Sequence, residues 1–152
     1  MVIGIRSFPD GFAYVILDGS QASPICIANE RLNLPVGISW PEALAWVRRQ
    51  VEEIMNAHRA VKACIKMIEH NAKRKSIERL QIEAVILEYL FSVHRICCEK
   101  RVKAQIKRAI PCFSEPARYL DRLVASHQHL NDLNTPVYQE ATMAAVSMLR
   151  EN

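Results

Sequence analysis

Five cysteines, Cys26, Cys64, Cys97, Cys98 and Cys112, make an odd set without a Cys-x-x-Cys pair, so zinc binding and dithiol redox chemistry are not indicated. Cys26, Cys64 and Cys97 sit inside apolar runs and read as buried thiols in a reducing compartment. His127-x-His129, with Asp132 nearby, offers two imidazoles and a carboxylate, a set that suits a transition metal. No third histidine is close, and the segment reads as solvated or helix-terminal. His58, His70 and His94 fall at element ends, and of these His70 stands beside Glu69. Lys73, Arg74, Lys75 and Arg79 cluster just beyond Glu69, and Lys103 and Lys107 add a second basic stretch. Such residues either neutralise phosphates, which would give salt-dependent nucleic-acid affinity, or form an ordinary solvated face. No aromatic is interleaved with them, so base stacking on single strands is not indicated.

The elements that would position these side chains follow from periodicity. Val2 to Asp18 holds two alternating apolar runs hinged on Phe8-Pro9-Asp10-Gly11, the pattern of a β-hairpin. Ser23 to Leu34 reads as a third strand, completing an antiparallel meander. Ser39-Trp40-Pro41-Glu42 is a helix start with a capping box and Pro in the first turn, and the helix runs to about His58. Val61 to Ile68 returns to period two and ends in the polar tip Glu69-His70-Asn71.

Ser76 to about Phe91 predicts a long helix that is apolar on two faces. Ile77, Leu80, Ala84, Leu87 and Phe91 form one; Ile82, Val85, Ile86, Tyr89 and Leu90 form the other. A helix apolar on both sides needs a partner beyond its own sheet, and the second face suits a two-fold contact in a homodimer or burial under the C-terminal helices. Arg95 to Cys98 reads as a fifth strand. Val102, Ile106 and Ile110 mark a helix with a basic outer face, ended by Pro111. Further helices are expected from Ser114 to about Ser126 and from Thr135 to about Arg150.

The order βββ-α-β-α-β-α-α-α predicts an α/β fold: a five-stranded mixed sheet, three antiparallel strands then two parallel ones, with helices on both faces. One domain over 1–152 is expected from the length and from a composition that is 50% hydrophobic and 24% charged. No apolar run reaches the roughly 18 residues of a membrane span, and no signal peptide is visible, so a cytoplasmic location without membrane contact is expected. The net charge of +4 permits nucleic-acid binding without requiring it.

At this point the chain resembles the RuvC branch of the ribonuclease H-like superfamily, the Holliday-junction resolvases and their relatives. The likeness covers essentially the whole length in element order and rests on three short stretches. Ile3-Gly4-Ile5-Arg6 resembles the family's Ile-Gly-Ile-Asp opening, with Tyr14-Val15-Ile16 following at a similar distance. The fourth strand ends in Glu69, where the family places a catalytic glutamate. Glu140-Ala141-x-x-Ala144-Ala145 is similar to the family's acidic-then-small pattern in the last helix.

The resemblance implies a site in which carboxylates from the first strand, fourth strand and last helix hold two Mg²⁺ ions for phosphodiester hydrolysis. Arg6 departs from it. A guanidinium is always protonated and only donates, so it cannot ligate a cation. Facing Glu69 and Glu140, Arg6 would supply the positive charge that metals bring, in an internal salt bridge; alternatively it reaches solvent and meets neither. Asp10 could replace the missing carboxylate, although in Pro-Asp-Gly it reads as a turn residue, and Asp18 lies at the far end of the second strand. Where the family often has a second acidic or histidine ligand three residues before its last carboxylate, this chain has Val137.

Three readings follow. The first is a metal-free, non-catalytic ribonuclease H-like module that binds DNA, RNA or a protein partner, with no cofactor. The second is an active nuclease, dependent on Mg²⁺ or Mn²⁺, using Glu69, Glu140 and Asp10. The third is a structural or regulatory dimer without nucleic-acid contact.

Overall fold

The two apolar runs flanking Pro9-Asp10 form the hairpin that opens the structure, a computed structural model that describes residues 1–69, 71–73, 75–110, 120–121 and 132–151. Strands β1 (Val2–Phe8) and β2 (Gly11–Gly19) pair antiparallel from Val2↔Leu17 to Phe8↔Gly11. β3 (Pro24–Asn33) continues the meander, with a bulge opposite Ile16/Leu17. Helix α1 (Trp40–His58) starts as its sequence predicts: the Ser39 N–H donates to Glu42 Oε2 at 2.8 Å, and Pro41 occupies the first turn, where its missing N–H costs nothing.

A helical crossover returns the chain parallel to its starting strand, so β4 (Lys62–Lys66) lies parallel to β1. Helix α2 (Ile77–His94) is capped by Ser76, whose Oγ accepts the Arg79 N–H at 3.1 Å. It leads to β5 (Glu99–Arg101), parallel to β4, then to α3 (Lys103–Arg108) and α4 (Gln139–Val146). The sheet order is β3-β2-β1-β4-β5, the expected mixed sheet of three antiparallel and two parallel strands.

Alternation along the strands divides the core in two. Ile3, Ile5, Phe12, Tyr14, Ile16, Ala63 and Ile65 face α1 and α2, while Val2, Val15, Leu17 and Cys64 face α4 and Ile106 of α3. Helices thus cover both faces. Where α4 crosses β1 no side chain separates them: a Cβ on Gly4 would lie 2.0 Å from the Ala141 carbonyl oxygen and 2.5 Å from the Ala145 nitrogen. Glycine on the strand and alanines on the helix are what let the two backbones touch. Among the described residues no helix is long and apolar enough to cross a membrane.

Four expectations need correction. Cys97, expected to be buried, is exposed at the end of its apolar run, and Cys26 is half-buried, which leaves Cys64 as the buried thiol of the three. The fifth strand lies at Glu99–Arg101 and not at Arg95 to Cys98: Ile96 turns into the core beneath α2, and pairing with β4 begins only at Cys64↔Glu99. α4 begins at Gln139, after a helical turn at 132–134, where a helix from Thr135 was expected. The largest correction concerns α2. Ile82, Ile86, Tyr89 and Leu90, expected at a dimer contact, are buried against the chain's own sheet and α1, with Val85 half-buried at their margin. The outward face is the other one, where Ile77, Leu80 and Phe91 are 67%, 44% and 56% exposed. Sequence spacing alone could not tell which of two apolar stripes turns inward. Within the helix expected from Ser114 to Ser126 only Leu120 and Asp121 are described; Arg74, His70, Cys112, His127 and His129 lie outside the described residues.

Candidate functional site

The site is organised by one rung of the sheet. Alternation puts Gly4 and Arg6 of β1 on the face covered by α4, and Cys64 and Lys66 of β4 on the same face. The register Gly4↔Cys64, Ile5↔Ile65 therefore sets Lys66 beside Arg6 at its next step. On the other side Ala13 stands opposite Arg6 and Arg31 opposite Ala13, while Arg101 of β5 stands opposite Lys66. Read across five strands, the rung is Arg31, Ala13, Arg6, Lys66, Arg101, four cations around one small residue.

Carboxylates outside the rung answer each cation. Arg6 pairs through a guanidinium nitrogen with Glu140, in the first turn of α4. Lys66, 4% exposed, donates to Glu69 Oε1 at 2.6 Å and to the Met67 carbonyl at 2.7 Å, and its Nζ lies 3.7 Å from Glu140 Oε1. Arg31 donates to Asp10 at 2.6 Å and Arg101 to Glu99 at 2.6 Å. From α2, Arg79 donates to Glu83 at 3.2 Å and to the Lys66 carbonyl at 3.0 Å. Phe8, two residues beyond Arg6, is stacked by both the Arg6 and Arg31 guanidinia, 4.8 and 4.1 Å from its centroid.

The electrostatics follow from this burial and pairing. Burial pushes Arg6 down to about 10, reinforced by the neighbouring Arg79 and Arg31 and opposed by Glu83. Lys66 is lowered chiefly by burial, against the hydrogen bond and charge of Glu69 that favour its ammonium. Glu69 is held below the usual carboxylate range by its hydrogen bond from Lys66 and by the Lys103 N–H, 2.9 Å away. Glu83 is raised by burial in spite of Arg79. Buried charges persist when paired and hydrogen-bonded; every cation here has a carboxylate partner, while the Arg6 Nε is buried without a hydrogen-bond partner.

Arg6, Glu69 and Glu140 are thus brought to one place, in an arrangement other than the expected triad. The chain of contacts runs Arg6, Glu140, Lys66, Glu69, with Lys66 between the two carboxylates. Asp10 is held at the hairpin turn by Arg31, outside this chain. The sequence reading missed Lys66, Arg31 and Glu83. Two signals were available. Lys66 falls out of phase with Val61, Ala63, Ile65 and Met67 and so turns to the opposite face, and Glu83 follows Arg79 by four on a helix whose neighbours Ile82 and Ile86 are apolar. Of the basic residues expected at a nucleic-acid surface, Lys73, Lys75, Lys103 and Lys107 are exposed. Arg79 is not available: its side chain is 12% exposed and committed to Glu83 and the Lys66 carbonyl.

No protein-family model and no curated protein matches the chain. Solved structures do. RuvC of T. thermophilus in complex with a Holliday-junction substrate superposes with a TM-score of 0.75 at 12% identity, over 96% of this chain and 90% of that one. The yeast mitochondrial Holliday-junction resolvase gives 0.67 at 8% identity, over 96% and 77%. The fowlpox virus resolvase, with its Holliday-junction DNA, gives 0.59 at 11% identity over 98% of each chain. This chain has the RuvC fold.

Arg6 stands where the resemblance implies a metal-binding carboxylate, and the residues here do not fit a divalent ion. Glu140 is engaged by Arg6 and Glu69 by Lys66, and among the described residues no three His, Cys, Asp or Glu side chains converge on one point. A divalent ion on Glu140 would sit within about 5 Å of the cation already bound there, a repulsion of roughly 7 kcal/mol at an effective dielectric of about 20. Two side-chain cations occupy the region that the resemblance assigns to metals.

Proposed function

We propose that this protein is a RuvC-type scaffold that holds nucleic acid without cutting it, its two-metal site exchanged for an internal chain of ion pairs. The observation that carries the reading is the pairing of Arg6 with Glu140, backed by Lys66 between Glu140 and Glu69. Five cations and five carboxylates balance around the rung, so phosphate affinity is assigned to its flank. There Lys73, Lys75, Lys103 and Lys107 are exposed and form no ion pair among the described residues. Such cations position a phosphate backbone without reading its sequence.

The test is binding of labelled four-way junction, duplex and single-stranded DNA at about 50 and 200 mM salt, with Mg²⁺ and Mn²⁺ cleavage assayed in parallel. Four phosphate contacts give a salt slope near −3.6, or about a hundredfold loss across that range. Substituting Lys103→Ala and Lys107→Ala lowers the slope by about one each. Product formation with either metal, or no binding at low salt, overturns the proposal.

The exposed stripe of α2 supports a second element, self-association. Ile77, Leu80, Ala84, Leu87 and Phe91 recur at alternating steps of three and four, the spacing of a helix-on-helix seam, and Ile77, Leu80 and Phe91 are exposed. A homodimer formed through this face gives twice the monomer mass in light scattering, and Leu80→Glu returns it to monomer. A wild-type monomer at micromolar concentration removes this element.

A further inference from the structure

At the opposite end of β1 from Arg6, the C-termini of α1 and α2 converge on an open cleft of about 610 Å³, lined by Asn56, Arg59, His94 and Arg95, floored by the buried Met55 and Ile96 and edged by the exposed Val61. The Val61 N–H donates to the Met1 carbonyl at this end, so the cleft lies five residues, about 17 Å, from Arg6 along the strand. It is a separate place with its own chemistry.

Arg59 and Arg95 are the two non-glycine residues with positive φ among those described, at 53° and 56°. Both follow the last turn of a helix in the left-handed conformation, a position that favours glycine because any Cβ is strained there. The capping itself is done by backbone: the Arg59 N–H bonds to the Met55 carbonyl at 2.9 Å and the Arg95 N–H to the Phe91 carbonyl at 3.1 Å. Glycine would supply the same bonds, so capping does not explain why both residues are arginine.

Neither guanidinium makes a hydrogen bond or ion pair among the described residues; Arg95 lies 5.9 Å from the Phe91 ring. No acidic side chain lines the cleft. The Nε2 atom of His94 is buried without a hydrogen-bond partner. Each helix C-terminus brings roughly half a negative charge, so two full positive charges leave the cleft net positive by about one.

We propose that this cleft binds a phosphate monoester of about mononucleotide size. The Arg59 and Arg95 guanidinia hold the phosphate, whose oxygens match their fork of donors. The Asn56 amide is a further donor, and the organic part lies against Val61, the exposed apolar residue of the cleft. A free mononucleotide and the phosphorylated end of a nucleic-acid strand share this chemistry. The proposal stands whether or not the basic flank near Glu69 binds DNA.

Calorimetry on the full chain with AMP, adenosine, inorganic phosphate and a dinucleotide with or without a 5′-phosphate tests it. AMP and phosphate bind and adenosine does not. Arg59→Gly and Arg95→Gly each weaken AMP by about tenfold or more, while their melting temperatures stay level or rise, because glycine relieves the left-handed strain. Arg6→Met leaves AMP binding unchanged. A phosphorylated dinucleotide that binds at least tenfold tighter than AMP identifies a strand end as the source, and equal affinity identifies the mononucleotide. The proposal is overturned if no phosphate-bearing probe binds at millimolar concentration, if adenosine binds as well as AMP, or if the glycine variants bind like wild type. It is also overturned if those variants melt lower without any change in ligand binding, the result expected of arginines that serve only the helix ends.

Discussion

Replacing the two cations that flank Glu140 with carboxylates turns the ion-pair chain into a cation site. In the wild type Arg6, Lys66, Glu69 and Glu140 sum to zero; with Arg6→Asp and Lys66→Glu together, four carboxylates sum to −4. Two like charges about 4 Å apart cost roughly 4 kcal/mol at an effective dielectric near 20. Glu69 and Glu140 are 40% and 35% exposed, so solvent screens part of this, but the metal-free variant is still less stable than wild type. A divalent ion relieves the repulsion. At a hundredfold excess over its dissociation constant it returns about 2.7 kcal/mol, or roughly 5–10 °C in melting temperature for a chain of this length. Arg6→Asp alone leaves Lys66 in place, reaches only −2, and gives a smaller shift. The assay is differential scanning calorimetry with and without Mn²⁺, with titration calorimetry for stoichiometry. Stoichiometric Mn²⁺ uptake by the wild type, or a folded double variant that takes up none, refutes the reasoning.

Gly4→Ala forces α4 off β1, because the new methyl meets helix backbone that cannot rotate away; a loss of about 3 kcal/mol or more is expected in denaturant unfolding. Lys66→Met removes the hydrogen bond that depresses Glu69, whose folded-state value lies below its unfolded one. Such a group adds stability above the unfolded pKa and loses it as pH falls through the folded one. Wild-type stability therefore declines on acidification below the ordinary glutamate range, and urea titrations across that range show a shallower decline in the variant. Among the described cysteines Cys97 is exposed, while burial pushes Cys64 up to about 11 and raises Cys98 as well. Two units above its ordinary value means about a hundredfold less thiolate for Cys64, so a thiol reagent labels Cys97 in the native protein and Cys64 and Cys98 only on unfolding.

Much of the fold was legible because its signals are local. The Phe8-Pro9-Asp10-Gly11 hinge, the Ser39 start and the Ser76 cap each appear where hydrogen bonding or backbone geometry demands them. Features set by tertiary register were not. The Arg95 to Cys98 run looks like a strand because it is apolar, yet Ile96 is apolar in order to fill the space under α2, and the strand itself is the polar Glu99–Arg101 at a sheet edge. Arg6 was visible as the departure from the family pattern. The phase of Lys66 gave its face, but its adjacency to Arg6 depends on the β1–β4 alignment, which no stretch of either strand encodes alone. The basic cluster divides for the same reason: Arg79 has the composition of its neighbours Lys73 and Lys75, but its helix turns it towards Glu83.

The bare contact at Gly4 has a mechanical consequence. Main chain rests directly on main chain, so the joint carrying Arg6 and Glu140 has no soft layer to compress or swell. Their separation is dictated by the backbones and barely responds to what the tips carry. A rigid mount of this kind lets the end groups be exchanged, acid for base, while the bracket beneath them keeps its dimensions.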